Sequence, residues 1–363
     1  MYNAEEDAMR VLVCTTPGQM EVKEVEQPRC GPGEALVAIS CVGICGTDIH
    51  AFGGNQPYFS YPRVLGHELS GRIEAVGSDA DHALVGHNAY VIPYLHCGEC
   101  TACQRGKTNC CQNMEVIGVH RDGGMADYLV VPVAHLVTSD ILAPERLALV
   151  ECLAIGAHAV RRSQLDAGEL ALVIGAGPIG MGVVQIAQSR GARVVVIDTN
   201  PQRLAFCHEV LGVETVINAA TQDIVAELTA LSAGALADVV FDATGNAQAM
   251  NRGFDFVGHG GRYVLVSLVK ADITFHDPDF HKKEITLLAS RNATREDFVT
   301  VARLMEAGQL HEREMITHRS PLEAMPEIMA QWCDPRSGVI KGMIEVNGFE
   351  RHAAEAATTQ EQS

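Results

Sequence analysis

The sequence predicts a mixed α/β chain in two parts: a β-rich domain over residues 1–155, and a doubly wound parallel sheet after it. Three observations carry this. Up to about residue 150, short apolar runs are broken by Gly and Pro, the texture of short antiparallel strands and turns. The segment ELALVIGAGPIGMGVVQIAQSRGARVVVIDTN then reads as an apolar strand, a glycine turn, a helix of about a dozen residues and a second apolar strand. Finally, strands apolar throughout keep alternating with helices, which requires a sheet covered on both faces.

In order along the chain, VLVCTTPGQMEVKEV and CGPGEALVAIS alternate as strands and turns, and RIEAVGS, NAYVIPY and ADYLVVP continue the pattern. After the βαβ unit come a strand at TVINA, a helix-like stretch over 221–232, a strand at DVVFDATG, a helix over 246–257, and strands at GRYVLVSL and EITLLAS. REDFVTVARLMEAGQL is helical, and GVIKGMIEV is a strand expected to rejoin the first domain. The alternation of strands and helices ends at about Arg295, where the pattern becomes helical. Residues 350–363 carry nothing to bury and are expected to fray.

The composition narrows the function. A chain of 363 residues exceeds what one core comfortably fills. Its 47% hydrophobic and 20% charged content is that of an ordinary globular protein. A net charge of −18 argues against a nucleic-acid partner, because phosphate binding needs clustered Lys and Arg. No apolar run reaches the roughly 18 residues of a membrane span, and MYNAEEDAMR lacks the basic start of a secretory signal. A cytoplasmic location is expected, in which twelve cysteines are metal ligands or buried thiols rather than disulfides.

Gly175, Gly177 and Gly180 form GAGPIG between a strand and a helix, the fingerprint of a Rossmann-type dinucleotide site. The glycines allow the tight turn, close approach to pyrophosphate and close helix packing, and Pro178 and Ile179 open the helix whose N-terminus faces the phosphates. Asp198 closes the next strand, eighteen residues after Gly180. A carboxylate there accepts from the ribose hydroxyls and repels a 2′-phosphate, which favours NAD over NADP. The competing reading makes Asp198 a helix N-cap before Pro201. Arg203 is placed to face the adenine or a phosphate. Val266, Leu268, Ser290 and Arg291, later in the domain, complete the expected cofactor contacts, and Arg291 is equally suited to pair with a substrate carboxylate.

Cys97, Cys100, Cys103 and Cys111 follow C-x2-C-x2-C-x7-C, a spacing that closes a four-thiolate structural zinc site with no open position. Iron–sulfur is the competing metal, and Cys110 the competing fourth ligand. A second set is scattered: Cys45 in GICGTDIH, His67 and Glu68 in LGHELSG, and Glu151 in VECLAIGAH. Thiolate, imidazole and carboxylate together suit a catalytic zinc with a position left for substrate. Taken singly, Cys45 reads as a buried thiol and His67 as a satisfied core histidine.

With these motifs in this order, the chain resembles the zinc-dependent medium-chain dehydrogenases, the family of alcohol, sorbitol and threonine dehydrogenases, from about Met9 to Phe349. The resemblance implies a GroES-like catalytic domain over residues 1–155 and 296–349 joined to a Rossmann-type cofactor domain over 156–295, two zinc ions and NAD, and a dimeric or tetrameric homo-oligomer. It makes Cys45 and His67 catalytic zinc ligands and leaves Glu68 and Glu151 to share or exchange the third place. Glu151 stands where alcohol dehydrogenases carry cysteine and polyol dehydrogenases glutamate, which points to polyol-like substrates. GGNQPYFSYPRVLGHELSG and FHKKEITLLASRNAT look most like the branch acting on sugar acids such as gulonate or galactonate. The family pattern also implies a proton relay from Thr47, through the ribose, to His50.

Overall fold

The computed structural model describes residues 8–55 and 59–347. The expectation for 350–363, and for Phe349 as the last residue of the returning stretch, lies outside the described residues. The chain divides into two compact units, residues 1–151 with 316–363 and residues 152–315. No helix among the described residues is long and apolar enough to cross a membrane.

The first unit begins with β1 (Ala8–Thr16) and β2 (Gln19–Glu26), an antiparallel hairpin turning at Gly18. Next come β3 (Glu34–Gly43), α1 (Gly46–Phe52), β4 (Arg63–Val64), β5 (Glu68–Val76), β6 (Asn88–Val91) and β7 (Tyr94–Leu95). Then follow α2 (Thr101–Gln104), β8 (Glu115–Val116), β9 (Tyr128–Pro132), β10 (Leu136–Thr138) and α3 (Pro144–Ala148). β3 is the hub because nearly every residue in it is small or apolar and buried, and it pairs antiparallel with both β5 and β9. Its last residue, Gly43, lies opposite Glu68. A Cβ at Gly43 would come 2.1 Å from Glu68 Oε2, so only glycine leaves room for that carboxylate.

The second unit contains α4 (Val150–Ser163, divided from the first unit after Glu151), β11 (Leu170–Ile174), α5 (Pro178–Ser189), β12 (Arg193–Asp198), α6 (Pro201–Glu209) and β13 (Thr215–Asn218). It continues through α7 (Ile224–Leu231), β14 (Ala237–Asp242), α8 (Ala247–Arg252), β15 (Val257–Leu265), α9 (Asp277–Lys283), β16 (Thr286–Ala289), α10 (Arg295–Glu306) and α11 (Glu312–Met315). The six strands are parallel in the order β13-β12-β11-β14-β15-β16. This is the Rossmann order, with its reversal between β11 and β14, where ligands bind beyond the carboxyl ends of the strands.

Two expectations need correction. The helix expected over 246–257 ends at Arg252 and tightens into a 3-10 turn over Gly253–Phe256. Tyr263 crosses there, its hydroxyl donating to Met250 O at 2.8 Å, and a Cβ at Gly253 would lie 2.1 Å from that hydroxyl. Residues 296–315, expected in the first unit, belong to the second. The reason is at the start of α10, where buried Asp297 accepts from His158 (2.9 Å) and Arg161 (2.7 Å) of α4.

The chain returns to the first unit as β17 (Ile316–Pro321), α12 (Met325–Trp332) and β18 (Lys341–Glu345). β18 pairs antiparallel with β3, with Met343 opposite Gly43. That pairing places Lys341 beside the residues that follow β3.

Candidate active site and metal centres

The four-cysteine lobe lies between β7 and β8, which pair as a short hairpin. The sulfur atoms of Cys97, Cys100, Cys103 and Cys111 all lie within 4.8 Å of one another, with 3.5 Å between Cys97 and Cys111 and 4.0 Å between Cys100 and Cys111. A tetrahedral zinc with bonds of about 2.3 Å asks for sulfurs roughly 3.8 Å apart. Backbone N–H groups point inward: Cys100 donates to Cys97 Sγ at 3.4 Å, and Asn113 to Cys111 Sγ at 3.3 Å. Those of Gln112 and Cys103 pull the Cys100 thiol down to about 6, which favours the thiolate a metal binds. Cys110 is exposed and is not one of the four.

The scattered set gathers in the first unit, more loosely than the four sulfurs. Cys45 is the N-cap of α1 and its N–H donates to Asp48 Oδ2 at 2.9 Å. The other oxygen of Asp48 accepts from Gly66 N–H at 3.2 Å, so one buried carboxylate ties the Cys45 loop to the His67 loop. Sequence reasoning missed this role of Asp48. The signal was local, an acid at the third helical position after a capping residue. The Cys45 thiol is among the groups that raise the pKa of His67. His67 Nδ1 is buried without a hydrogen-bond partner, 3.8 Å from Asp48 Oδ1. Glu151, in the first turn of α4, accepts a short hydrogen bond from the Tyr94 hydroxyl. Glu68 is fully buried and both its oxygens are held by Lys341 Nζ, at 2.6 and 2.7 Å.

The electrostatics ask for a cation. Burial works against a charged His67, yet Asp48, Cys45 and Glu151 outweigh it and hold its pKa well above the usual histidine range. Burial pushes Glu151 up to about 7, against the pull of His67 and with the push of Glu68. Asp48, Glu68 and Glu151 are three buried carboxylates of this unit, and of these Glu68 is the one held by Lys341. A mixed S, N and O donor set with an orphaned imidazole nitrogen fits a divalent ion of the zinc type. Thr47 and His50 lie on α1, half-buried and exposed respectively.

In the second unit, a cavity of about 460 Å³ is lined by Gly175, Gly177, Asp198 and Arg203, among others. Gly175 has φ +99, and a Cβ at Gly180 would lie 1.8 Å from Gly175 O, so both glycines are needed for the turn. Asp198 accepts from Ala176 N–H (2.6 Å) and Asn200 N–H (2.7 Å). The N-cap of α6 is Asn200, whose side chain accepts from Gln202 and Arg203. Thr199, Asn246 and Arg252 also line the cavity and were not anticipated. The strand order could have found Asn246, because the loop after β14 flanks the reversal point. Pro178 and Ile179 open α5 beside the cavity lining. Val266 donates to Asp242 O at 2.9 Å, Leu268 is 75% exposed, Ser290 is buried and Arg291 exposed. These four do not line that cavity.

Comparison with known proteins agrees with this anatomy. Residues 31–141 match the alcohol dehydrogenase GroES-like domain, and residues 178–307 the zinc-binding dehydrogenase domain. The chain is 48% identical over 336 residues to L-galactonate-5-dehydrogenase of Escherichia coli, covering 93% of this chain and 98% of the relative. It is similar to the crystal structure of the Escherichia coli alcohol dehydrogenase RspB complexed with NADH, with a TM-score of 0.87 and 27% identity over 93% of this chain and 99% of that one. A zinc-binding dehydrogenase of Sinorhizobium meliloti bound to NADP gives a TM-score of 0.86 at 29% identity, again over 93% and 99%. With both domain matches in sequence order and near-complete coverage of a 48% identical relative, the chain belongs to the zinc-type medium-chain alcohol dehydrogenase family.

Proposed function

We propose that the protein oxidises a secondary hydroxyl of a sugar acid or related polyol to the ketone, with NAD as hydride acceptor. L-galactonate and L-gulonate, oxidised at C5, are the leading substrates. One zinc is held at Cys45, His67 and a glutamate, and a second, structural zinc at Cys97, Cys100, Cys103 and Cys111. The half-buried Cys45 thiol on a loop that Asp48 ties to buried His67, whose Nδ1 has no hydrogen-bond partner, carries the reading, and the near-full-length likeness to an L-galactonate-5-dehydrogenase directs the choice of substrate.

Zinc, when bound, supplies Lewis acidity, which on water is worth a pKa drop from about 16 to about 7. The rest falls to the chain's own groups. Asp48 holds the Cys45 and His67 loops together through its two backbone contacts. Thr47 Oγ1 accepts the substrate's proton, and exposed His50, one helical turn on, returns it to solvent. Asp198 hydrogen-bonds the ribose hydroxyls and selects NAD. Gly175 and Gly177 admit the pyrophosphate, with Pro178, Ile179 and Gly180 opening the helix behind it, and Arg203 faces the adenine end. Val266, Leu268, Ser290 and Arg291 contribute to the remaining cofactor contacts.

We place the protein in a reducing, cytoplasmic setting, in which its twelve cysteines serve as metal ligands or buried thiols. Assembly into a homo-oligomer is supported by β16, a sheet edge on which Leu287 is 39% exposed. The test is a panel of L-galactonate, L-gulonate, sorbitol and L-threonine, with zinc-replete protein and NAD, followed by NADH absorbance. Turnover is expected fastest on a sugar acid. Preference for threonine would move the protein to an amino-alcohol role, and no turnover on any secondary alcohol would remove the reading.

A further inference from the structure

Two glutamates compete for one place beside Cys45 and His67, and their surroundings differ. Glu68 is 0% exposed and Lys341 1% exposed. The Lys341 ammonium spans both carboxylate oxygens of Glu68 and also donates to Ile44 O at 3.0 Å. Ile44 immediately precedes Cys45, and Glu68 immediately follows His67. Lys341 therefore bridges the two segments that carry the thiol and the imidazole, from a strand about 270 residues away in sequence. Gly43 supplies the space in which Glu68 lies against this lysine. Glu151 meets a neutral donor instead, the Tyr94 hydroxyl, through Oε1. A carboxylate hydrogen-bonded on one oxygen by a neutral group retains lone pairs for a cation and gains orientation from that bond. A carboxylate held on both oxygens by a buried ammonium also keeps lone pairs, but turning an oxygen towards a metal weakens its hold on that ammonium, and a buried charge is costly to leave less well compensated.

We propose that Lys341 is a positioning residue that keeps Glu68 as its counter-ion, so that Glu151 completes the metal's protein donors with Cys45 and His67. This rests on the zinc site proposed above at Cys45 and His67. Lys341 thus decides which of two buried carboxylates is a ligand, and it braces both ligand-bearing segments at once.

The test uses the full-length holoenzyme with cobalt(II) exchanged into the Cys45 site and zinc retained at the four cysteines. Cobalt d–d bands and metal retention against a chelator are the readouts. Glu151→Gln is expected to shift the bands and weaken retention by at least about tenfold, whereas Glu68→Gln keeps the parent bands. Lys341→Met is expected to shift the bands, because Glu68 is released to compete, and Glu68→Gln/Lys341→Met to restore them. The double variant removes both charges together, so it keeps the test alive should Lys341→Met alone fail to fold. Parent bands in Glu151→Gln with shifted bands in Glu68→Gln would overturn the proposal, as would parent bands in folded Lys341→Met. A parent protein that takes up metal only at the four cysteines would instead overturn the zinc site itself, which separates the two failures.

Discussion

Asp198 ends β12 with one oxygen on Ala176 N–H and the other on Asn200 N–H, so its carboxylate is locked in place at the cavity wall. A fixed anion there discriminates between a ribose hydroxyl and a phosphate more sharply than a mobile one. Asp198→Ser is expected to lower kcat/KM for NAD by about 10–100-fold, since hydrogen bonds to charged groups are worth about 1.5–3 kcal/mol and each 1.4 kcal/mol is tenfold. NADP should gain over the same substitution, with Arg203 and Arg252 left as the charged groups on the wall. Kinetics with both cofactors check this, and an unchanged NAD to NADP ratio would show that Asp198 does not read the ribose. The place of this residue at the cavity wall was legible from a strand, three glycines and a spacing. That of Arg252 was not, because it reaches the same wall from the last turn of α8.

At the scale of elements, the cysteine lobe and the start of α10 are held by different physics. The lobe is a short stretch with little apolar content, so its order depends on what the four sulfurs bind. Cys100→Ser should mainly destabilise the protein, lowering the thermal midpoint, with activity lost in step with folding. A stable but selectively inactive Cys100→Ser protein would point to a catalytic or redox lobe. α10 is anchored by charge. Burial alone would raise the Asp297 pKa, but hydrogen bonds from His158, Arg161 and Thr294 N–H outweigh it and hold the group well below the usual carboxylate range. A pKa lower in the folded than in the unfolded chain adds stability above about pH 4 and loses it as the pH falls through the folded value. Asp297→Asn should therefore cost about 1–3 kcal/mol at neutral pH and flatten the acid limb of a plot of thermal midpoint against pH. Parallel limbs in the two proteins would refute the assignment.

For the whole molecule, the two proposed metal centres belong to one unit but differ in what their loss should do. Zinc-replete protein is expected to contain two zinc ions per chain by elemental analysis, and Cys45→Ser one, with turnover abolished and NAD binding retained. Near wild-type activity in Cys45→Ser would end the catalytic zinc assignment. The partition of the chain was only partly legible. The strand at GVIKGMIEV was legible from its pattern and its return to the first unit from the family resemblance, and in the structure β18 pairs with β3. The placement of 296–315 was misjudged, because a helix pattern reports which face is apolar and says nothing of which neighbour covers it. His158 and Asp297, 139 residues apart, settle that question in space.

What the amino-acid order determined by itself is local: the glycine turn before α5, the apolar strands, and a cysteine set spanning fewer than twenty residues, all constrained by short chain connections. Tertiary structure decided what depends on distant strands meeting in register. It drew Cys45, His67, Glu151 and Lys341 together, tied two loops through Asp48, and gave Glu68 an ammonium and Glu151 a phenol. The sequence Gly-His-Glu is compatible with either carboxylate at the metal. On the proposal made here the choice is electrostatic, and it is made by Lys341, which arrives when β18 pairs with β3.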